Sequence, residues 1–179
     1  MLKEYIERLY NIVEYPILLK TIVNKIPREI LKNLLFINKK LKFTPDIIID
    51  IGAANGTWAK TARYLFPKAK LFIFEPIPDS FKNIEGVFNN DENSFLFNFA
   101  LDNKNRMTDF HLNDFSYSSS ILEMTEKQKS DFPITQNDRI IKIKSYRFDS
   151  LEEIDLSKKV LMKIDVQGLE LRVLEGFGQ

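Results

Sequence analysis

The stretch Ile47-Ile48-Ile49-Asp50-Ile51-Gly52-Ala53-Ala54-Asn55-Gly56 decides the fold. A continuous β-branched run without polar alternation suits a parallel strand buried on both faces. The glycines after it predict a tight turn, because a residue without Cβ lets the backbone bend and lets other groups approach closely. A helical pattern follows at Trp58, Ala62, Leu65 and Phe66, and Pro67 stops it.

The same texture repeats downstream. Leu71-Phe72-Ile73-Phe74 reads as a second buried strand ending at Glu75-Pro76. Pro78-Asp79-Ser80 opens a helix with Phe81, Ile84 and Phe88 on one side, and Phe95-Leu96-Phe97-Asn98-Phe99-Ala100 reads as a third strand. Strand–helix–strand–helix–strand predicts a parallel sheet with right-handed crossovers. Residues 103–137 are polar and break the rhythm. A short strand is expected from Asp109 to Leu112, a loop at Ser118-Ser119-Ser120 and a helical patch over residues 121–129. Ile140, Ile143 and Tyr146 predict another strand, and Phe148-Asp149-Ser150-Leu151 a turn into a short helical stretch. Val160-Leu161-Met162-Lys163-Ile164-Asp165 reads as a further buried strand, followed by Gly168 and a helix bearing Leu169, Leu171, Val173 and Leu174.

Upstream, residues 1–43 read as a helical extension of a main domain at residues 44–179. Leu2, Tyr5, Ile6, Leu9 and Val13 recur at helical spacing. Pro16 and Pro27 punctuate, and Leu31, Leu34, Leu35 and Leu41 continue an apolar face. These helices are expected to pack on the main domain; the alternative is a cover over a cleft or a partner-binding surface.

Composition narrows the class. In 179 residues, 26 Lys and Arg balance 25 Asp and Glu, which argues against a protein built to neutralise nucleic-acid phosphates. Lys39 to Lys42 and Arg139 to Arg147 are basic stretches that leave RNA contact as a weak option. Fifteen Phe supply large core side chains, so the chain is expected to fold. The absence of Cys excludes a disulfide scaffold, a thiolate zinc site and a Cys nucleophile, and it fits a reducing compartment. The one His, His111, excludes a multi-histidine metal site within one chain. The start lacks the uninterrupted apolar stretch of a signal peptide, and no run approaches a membrane span of roughly 20 residues. A cytoplasmic location is therefore expected, with a lipid-surface role as a weak option.

Three signals carry chemistry. The Gly52–Gly56 turn opens a helix whose first N–H groups are candidates to face a ligand. Its glycine spacing is not the G-x-G-x-x-G of a dinucleotide site. Glu75 ends the next strand, where a carboxylate, acceptor-only when ionised, suits a ribose diol. Asp165 sits at the carboxyl end of its strand, the edge where open α/β sheets place ligands, and Glu170 enters the following helix, where the macrodipole also favours an acid.

With these residues in order, the sequence resembles the FkbM family of S-adenosylmethionine-dependent methyltransferases. The matching text is Asp50-Ile-Gly-Ala, Phe74-Glu75-Pro76, Phe99-Ala100-Leu101, Ser118-Ser-Ser-Ile-Leu122 and Lys163-Ile-Asp165-Val-Gln-Gly168-Leu-Glu170-Leu-Arg-Val-Leu-Glu-Gly176, running from about Asp46 to Gly176. The resemblance implies an α/β, Rossmann-like class I methyltransferase sheet, S-adenosylmethionine as cofactor, and methyl transfer to a hydroxyl of a sugar or natural product. It places Asp50, Gly52, Ala53 and Gly56 around the methionine part, Glu75 on the ribose, Ala100, Leu101 and Asp102 beside the adenine, and Asp165 toward the reacting centre. Two positions depart from the family pattern: Ala54 stands where Asn is usual, and Gln167 where Glu is usual. Such sheets normally hold seven strands, so the chain reads as truncated after the fourth core strand. An open apolar edge would then favour association, through that edge or the N-terminal helices.

Asp165 leads as the general base and His111 is the second candidate. No metal is required by this reading; Mg²⁺ shared by Asp165 and Glu170 is the variant considered. The acceptor is expected to be a small molecule or glycan rather than nucleic acid. Alternatives are a NAD-dependent oxidoreductase, which the missing third glycine disfavours, and a non-catalytic nucleoside-binding remnant.

Overall fold

A computed structural model describes residues 26–113, 138–152 and 154–178. The expected helices before residue 26 and the loop and helical patch at 118–129 lie outside these residues.

Four parallel strands form the main sheet: β1 (Ile47–Ile51), β2 (Lys70–Phe74), β3 (Ser94–Phe97) and β7 (Val160–Ile164), in the order β3-β2-β1-β7. Helices α2 (Thr57–Leu65) and α3 (Pro78–Phe88) make the connections between β1, β2 and β3. β1 is buried at all five positions because strands flank it on both sides. Alternation then divides the core. Ile48, Leu71 and Ile73 pack with Ala59, Ala62, Ile84 and Phe88 on one side of the sheet. Ile49, Ile51, Phe72 and Phe74 pack with Leu101, Phe148 and Val173 in the second core cluster. On that side, in-register ring pairs stack across β2 and β3: Phe72 on Phe95 at 4.8 Å and Phe74 on Phe97 at 4.7 Å.

Helix α1 (Arg28–Leu35) buries Leu31, Leu34 and Leu35 and continues into a π turn, Phe36–Lys40. Leu34 joins the core under α2, while Leu31 and Leu35 pack with Tyr64 and Leu65. No described helix is long and apolar enough to cross a membrane.

Three expectations change. The run at residues 95–100 is not one strand. It leaves the main sheet at Asn98, whose side-chain amide donates to the Glu75 and Pro76 carbonyls at 2.9 and 3.3 Å. The chain then enters a second sheet of β4 (Ala100–Leu101), β5 (Arg106–Asn113) and β6 (Asp138–Tyr146), ordered β4-β6-β5. The expected short strand at Asp109 to Leu112 is thus one arm of a longer antiparallel ribbon. Finally, β7 is half-buried rather than buried, because it borders β1 alone among the described residues. A 3-10 turn, Phe148–Ser150, and helix α4 (Glu170–Glu175) complete the described elements.

The tips of β1 and β7 meet with bare backbone. Asp165 N–H donates to the Ile51 carbonyl at 3.0 Å. Gly52 has φ +74°, and a Cβ there would stand 2.1 Å from the Asp165 carbonyl oxygen. Left-handed backbone alone costs a non-glycine residue about 1–2 kcal/mol, and the clash is with main chain that cannot rotate away. Gly52→Ala is therefore expected to remove at least about 2 kcal/mol, lowering the melting temperature by roughly 4–8 °C for a chain of this size. An unchanged melting curve would contradict the close approach.

Candidate functional site

The carboxyl tips of β1, β2 and β7 open into a cleft. Gly52, Glu75, Ala100, Leu101 and Asp165 are among its lining residues, as are Phe99, Phe110 and Gln167.

Glu75 is the buried acid of this cleft, 3% exposed. One carboxylate oxygen accepts Ala54 N–H at 2.7 Å and the other accepts Ile77 N–H at 2.9 Å. An ionised carboxylate has about four lone-pair sites, so two remain for a ligand. Burial pushes the Glu75 carboxyl up to about 7, against the two N–H donors that favour the charged form.

The turn after β1 does not offer donors in the way its sequence suggested. Gly52 and Ala53 N–H groups bond the Phe74 carbonyl, Gly56 N–H bonds Ala53, Ala54 N–H bonds Glu75, and Thr57 N–H bonds the Asn55 side chain. What it presents to the cleft is uncluttered backbone at Gly52. Ala53 is buried in the core, and Gly56 sits against Ile84 on the side of α3.

Asp50 lies beneath this turn, fully buried. Lys163, its register partner on β7, donates to Asp50 Oδ1 at 3.0 Å and to the Gly52 carbonyl at 2.9 Å. Lys163 Nζ also lies 3.7 Å from Asp165 Oδ2. Asp50 Oδ2 has no hydrogen-bond partner among the described residues. Burial raises the Asp50 pKa, with Lys163 pulling the other way. Asp165 itself is 56% exposed at the mouth and accepts a hydrogen bond from Gln167 Nε2 at 3.2 Å.

The remaining sequence candidates stand elsewhere. Asp102 is buried between Arg106, at 3.1 Å, and Arg172, and its other oxygen accepts Asn103 N–H. Its side chain clamps the second sheet to α4 and does not line the cleft. His111 follows Phe110 on β5, and strand alternation sends it to the opposite face from that cleft residue. Glu170 accepts the Val166 and Gly168 N–H groups at 3.3 and 3.2 Å; backbone hydrogen bonds, its own N–H foremost, hold its carboxyl below the usual range. It thus closes the turn before α4. Among the described residues no group of three or more Asp, Glu or His side chains gathers as a metal site would need.

The fold is α/β, with a parallel main sheet whose strand tips border a cleft lined by one buried acid, Glu75. Residues 50–179 match the methyltransferase FkbM domain, and the chain belongs to that family. It is 30% identical over 141 residues to the 2-O-methyltransferase NoeI of Sinorhizobium fredii (strain NBRC 101917 / NGR234), a match covering 74% of this chain and 58% of that relative. The chain thus matches little more than half the length of this curated relative.

Two outcomes follow from the buried acids. The folded-state value for Glu75, about 7, lies above its ordinary 4.5, so the folded chain holds this proton more tightly. That contribution to stability is complete below the ionisation of the unfolded side chain and is lost as pH rises through about 7, at about 1.4 kcal/mol per pH unit. Glu75→Gln cannot ionise, so its melting temperature should gain on that of the native chain as pH rises across this window; parallel profiles would contradict it. Lys163→Met leaves the Asp50 carboxylate buried without its partner and should cost about 3–5 kcal/mol in denaturant unfolding at pH 7. Adding Asp50→Asn should restore a large part of it, and the deficit of the single variant should shrink at lower pH, where Asp50 takes up a proton. A Lys163→Met chain as stable as the native one would show that the pair is not electrostatically needed.

Proposed function

We propose that this chain binds S-adenosylmethionine in the cleft and transfers its methyl group to a hydroxyl oxygen of a sugar or natural-product acceptor. Glu75 carries this reading: a buried acid at the tip of β2, with two acceptor sites left over for the two ribose hydroxyls. The other features fit the same ligand. Bare backbone at Gly52 leaves room for the methionine part, with Asp50, Ala53 and Gly56 shaping the turn from beneath. Ala100 and Leu101 add an apolar wall for the base.

When bound, the donor supplies a methyl already activated on a positively charged sulfur. The residues of this chain then have two tasks. The first is alignment of the acceptor, which can supply roughly 7–11 kcal/mol when geometry is near ideal. The second is removal of the hydroxyl proton. Asp165, at the mouth of the cleft and held by Gln167, is the group placed to accept it, a role worth about 10²–10⁴-fold. Oxygen as the methylated atom is supported by the 2-O-methyltransferase among its relatives. A small-molecule or glycan acceptor is supported by the near-equal acidic and basic content, and a cytoplasmic setting by the absence of Cys.

Calorimetry with S-adenosylhomocysteine, the demethylated product, tests the reading. The native chain should bind it, and Glu75→Ala should weaken binding by about 10-fold or more, because a buried charged hydrogen bond is lost. A folded native sample that binds nothing would overturn the assignment.

A further inference from the structure

The second sheet does more than fill out the fold. Its β4 contributes Ala100 and its β5 contributes Phe110 to the cleft, and both pack with Ile77 and Ile143 in one apolar cluster. Ile77 also binds Glu75 through its backbone N–H. The apolar cluster therefore adjoins the buried acid, whereas Asp165 and Gln167 occupy the polar part of the lining.

Two aromatic rings from this region line the cleft, and they are not equivalent. Phe99 is committed to its neighbours: its ring centroid lies 4.7 Å from Tyr146, 5.5 Å from Phe97 and 5.7 Å from Phe74. Phe110 has no ring partner among the described residues, yet it is buried on the inner face of the ribbon and contributes to the cleft wall. Phe110 is 6% exposed, held by the aliphatic cluster, and the part of its ring that reaches the cleft is what a planar ligand group would meet. A base joined to a ribose held at Glu75 reaches this apolar cluster, because Ile77 belongs to both.

We infer that Phe110 is a specificity-determining residue of the donor site, its ring stacking on the nucleobase and so making the β5–β6 ribbon the base-binding wall. The inference rests on the donor reading above and extends it to a residue outside the main sheet. It makes the ribbon part of the binding site, where the sequence predicted two strands but neither their pairing nor their place at the cleft.

Three variants test it, with S-adenosylhomocysteine as the probe throughout. Phe110→Leu keeps an apolar side chain in the cluster but removes the ring. Stacking of a base on an aromatic side chain is worth enough that this variant should bind the probe about 10-fold more weakly or worse, while Phe110→Tyr stays within about 3-fold of the native chain. A purely structural role would instead be rescued by Leu. The second readout is spectroscopic. Trp58, in α2, is the only tryptophan, so Trp58→Phe leaves a dark background into which Phe110→Trp places one reporter. Its emission should be quenched on addition of the probe. Native-like binding by Phe110→Leu, or an emission that does not respond in a chain that binds, overturns the inference; should Phe110→Leu fail to fold, the reporter alone decides. A native chain that does not bind at all fails at the earlier step, the donor reading itself.

Discussion

The contact on which the rest of the site depends is backbone against backbone, where the turn after β1 passes the end of β7. Only glycine can stand at position 52, because the Asp165 carbonyl occupies the space a Cβ would need. That contact brings Asp165 to the mouth of the cleft. Lys163 reinforces it from below, tying the Gly52 carbonyl and the Asp50 carboxylate to its own strand. Main-chain packing and a buried ion pair thus hold two strand tips together from segments more than a hundred residues apart. A buried pair of this kind is weak as a source of net stability, yet breaking one side of it is costly. Its effect is to fix the relative position of the two tips.

Much of the main sheet was legible because each strand is a continuous apolar run bounded by turn residues, and each helix shows a clear stripe. The places of Glu75 and Gly52 at strand ends lining the cleft were legible for a related reason, since strand ends are visible in sequence. Of the second sheet, two strands were expected, but not their pairing. Its ribbon pairs residues 106–113 with residues 138–146, and nothing local announces such a register. The break at Asn98 was hidden too, since it depends on a side-chain amide satisfying two carbonyls of another loop. Phe110 and His111 illustrate the parity problem. They are neighbours on a strand, so only one of them can face the cleft, and the choice is made by the pairing rather than by either residue. Lys163 was read as part of a motif; its partnership with Asp50 appears only when β1 and β7 lie side by side.

Asp102 stands beside the cleft without lining it, and its side chain serves another purpose. The residue follows directly on Ala100 and Leu101, which line the cleft. Its carboxylate is taken by Arg106 and Arg172, four and seventy positions away. A Cβ at Gly176 would lie 2.4 Å from the Asp102 carbonyl oxygen, so the end of α4 is pressed against the same residue. The clamp therefore joins the second sheet to the last described helix, and through it to the turn that carries Asp165.

The two N–H groups that hold Glu75 have a further consequence for selectivity. With Ala54 on one oxygen and Ile77 on the other, the carboxylate is frozen in orientation before any guest arrives. A vicinal diol can satisfy both vacant lone pairs at once. A deoxy sugar lacking either hydroxyl strands one of them inside the protein, an omission that burial turns into a penalty of about 1–3 kcal/mol. If the acid holds a ribose, as proposed, the sugar would be told from a deoxyribose by the N–H groups of Ala54 and Ile77 that orient the glutamate, without a side chain dedicated to rejecting the wrong one.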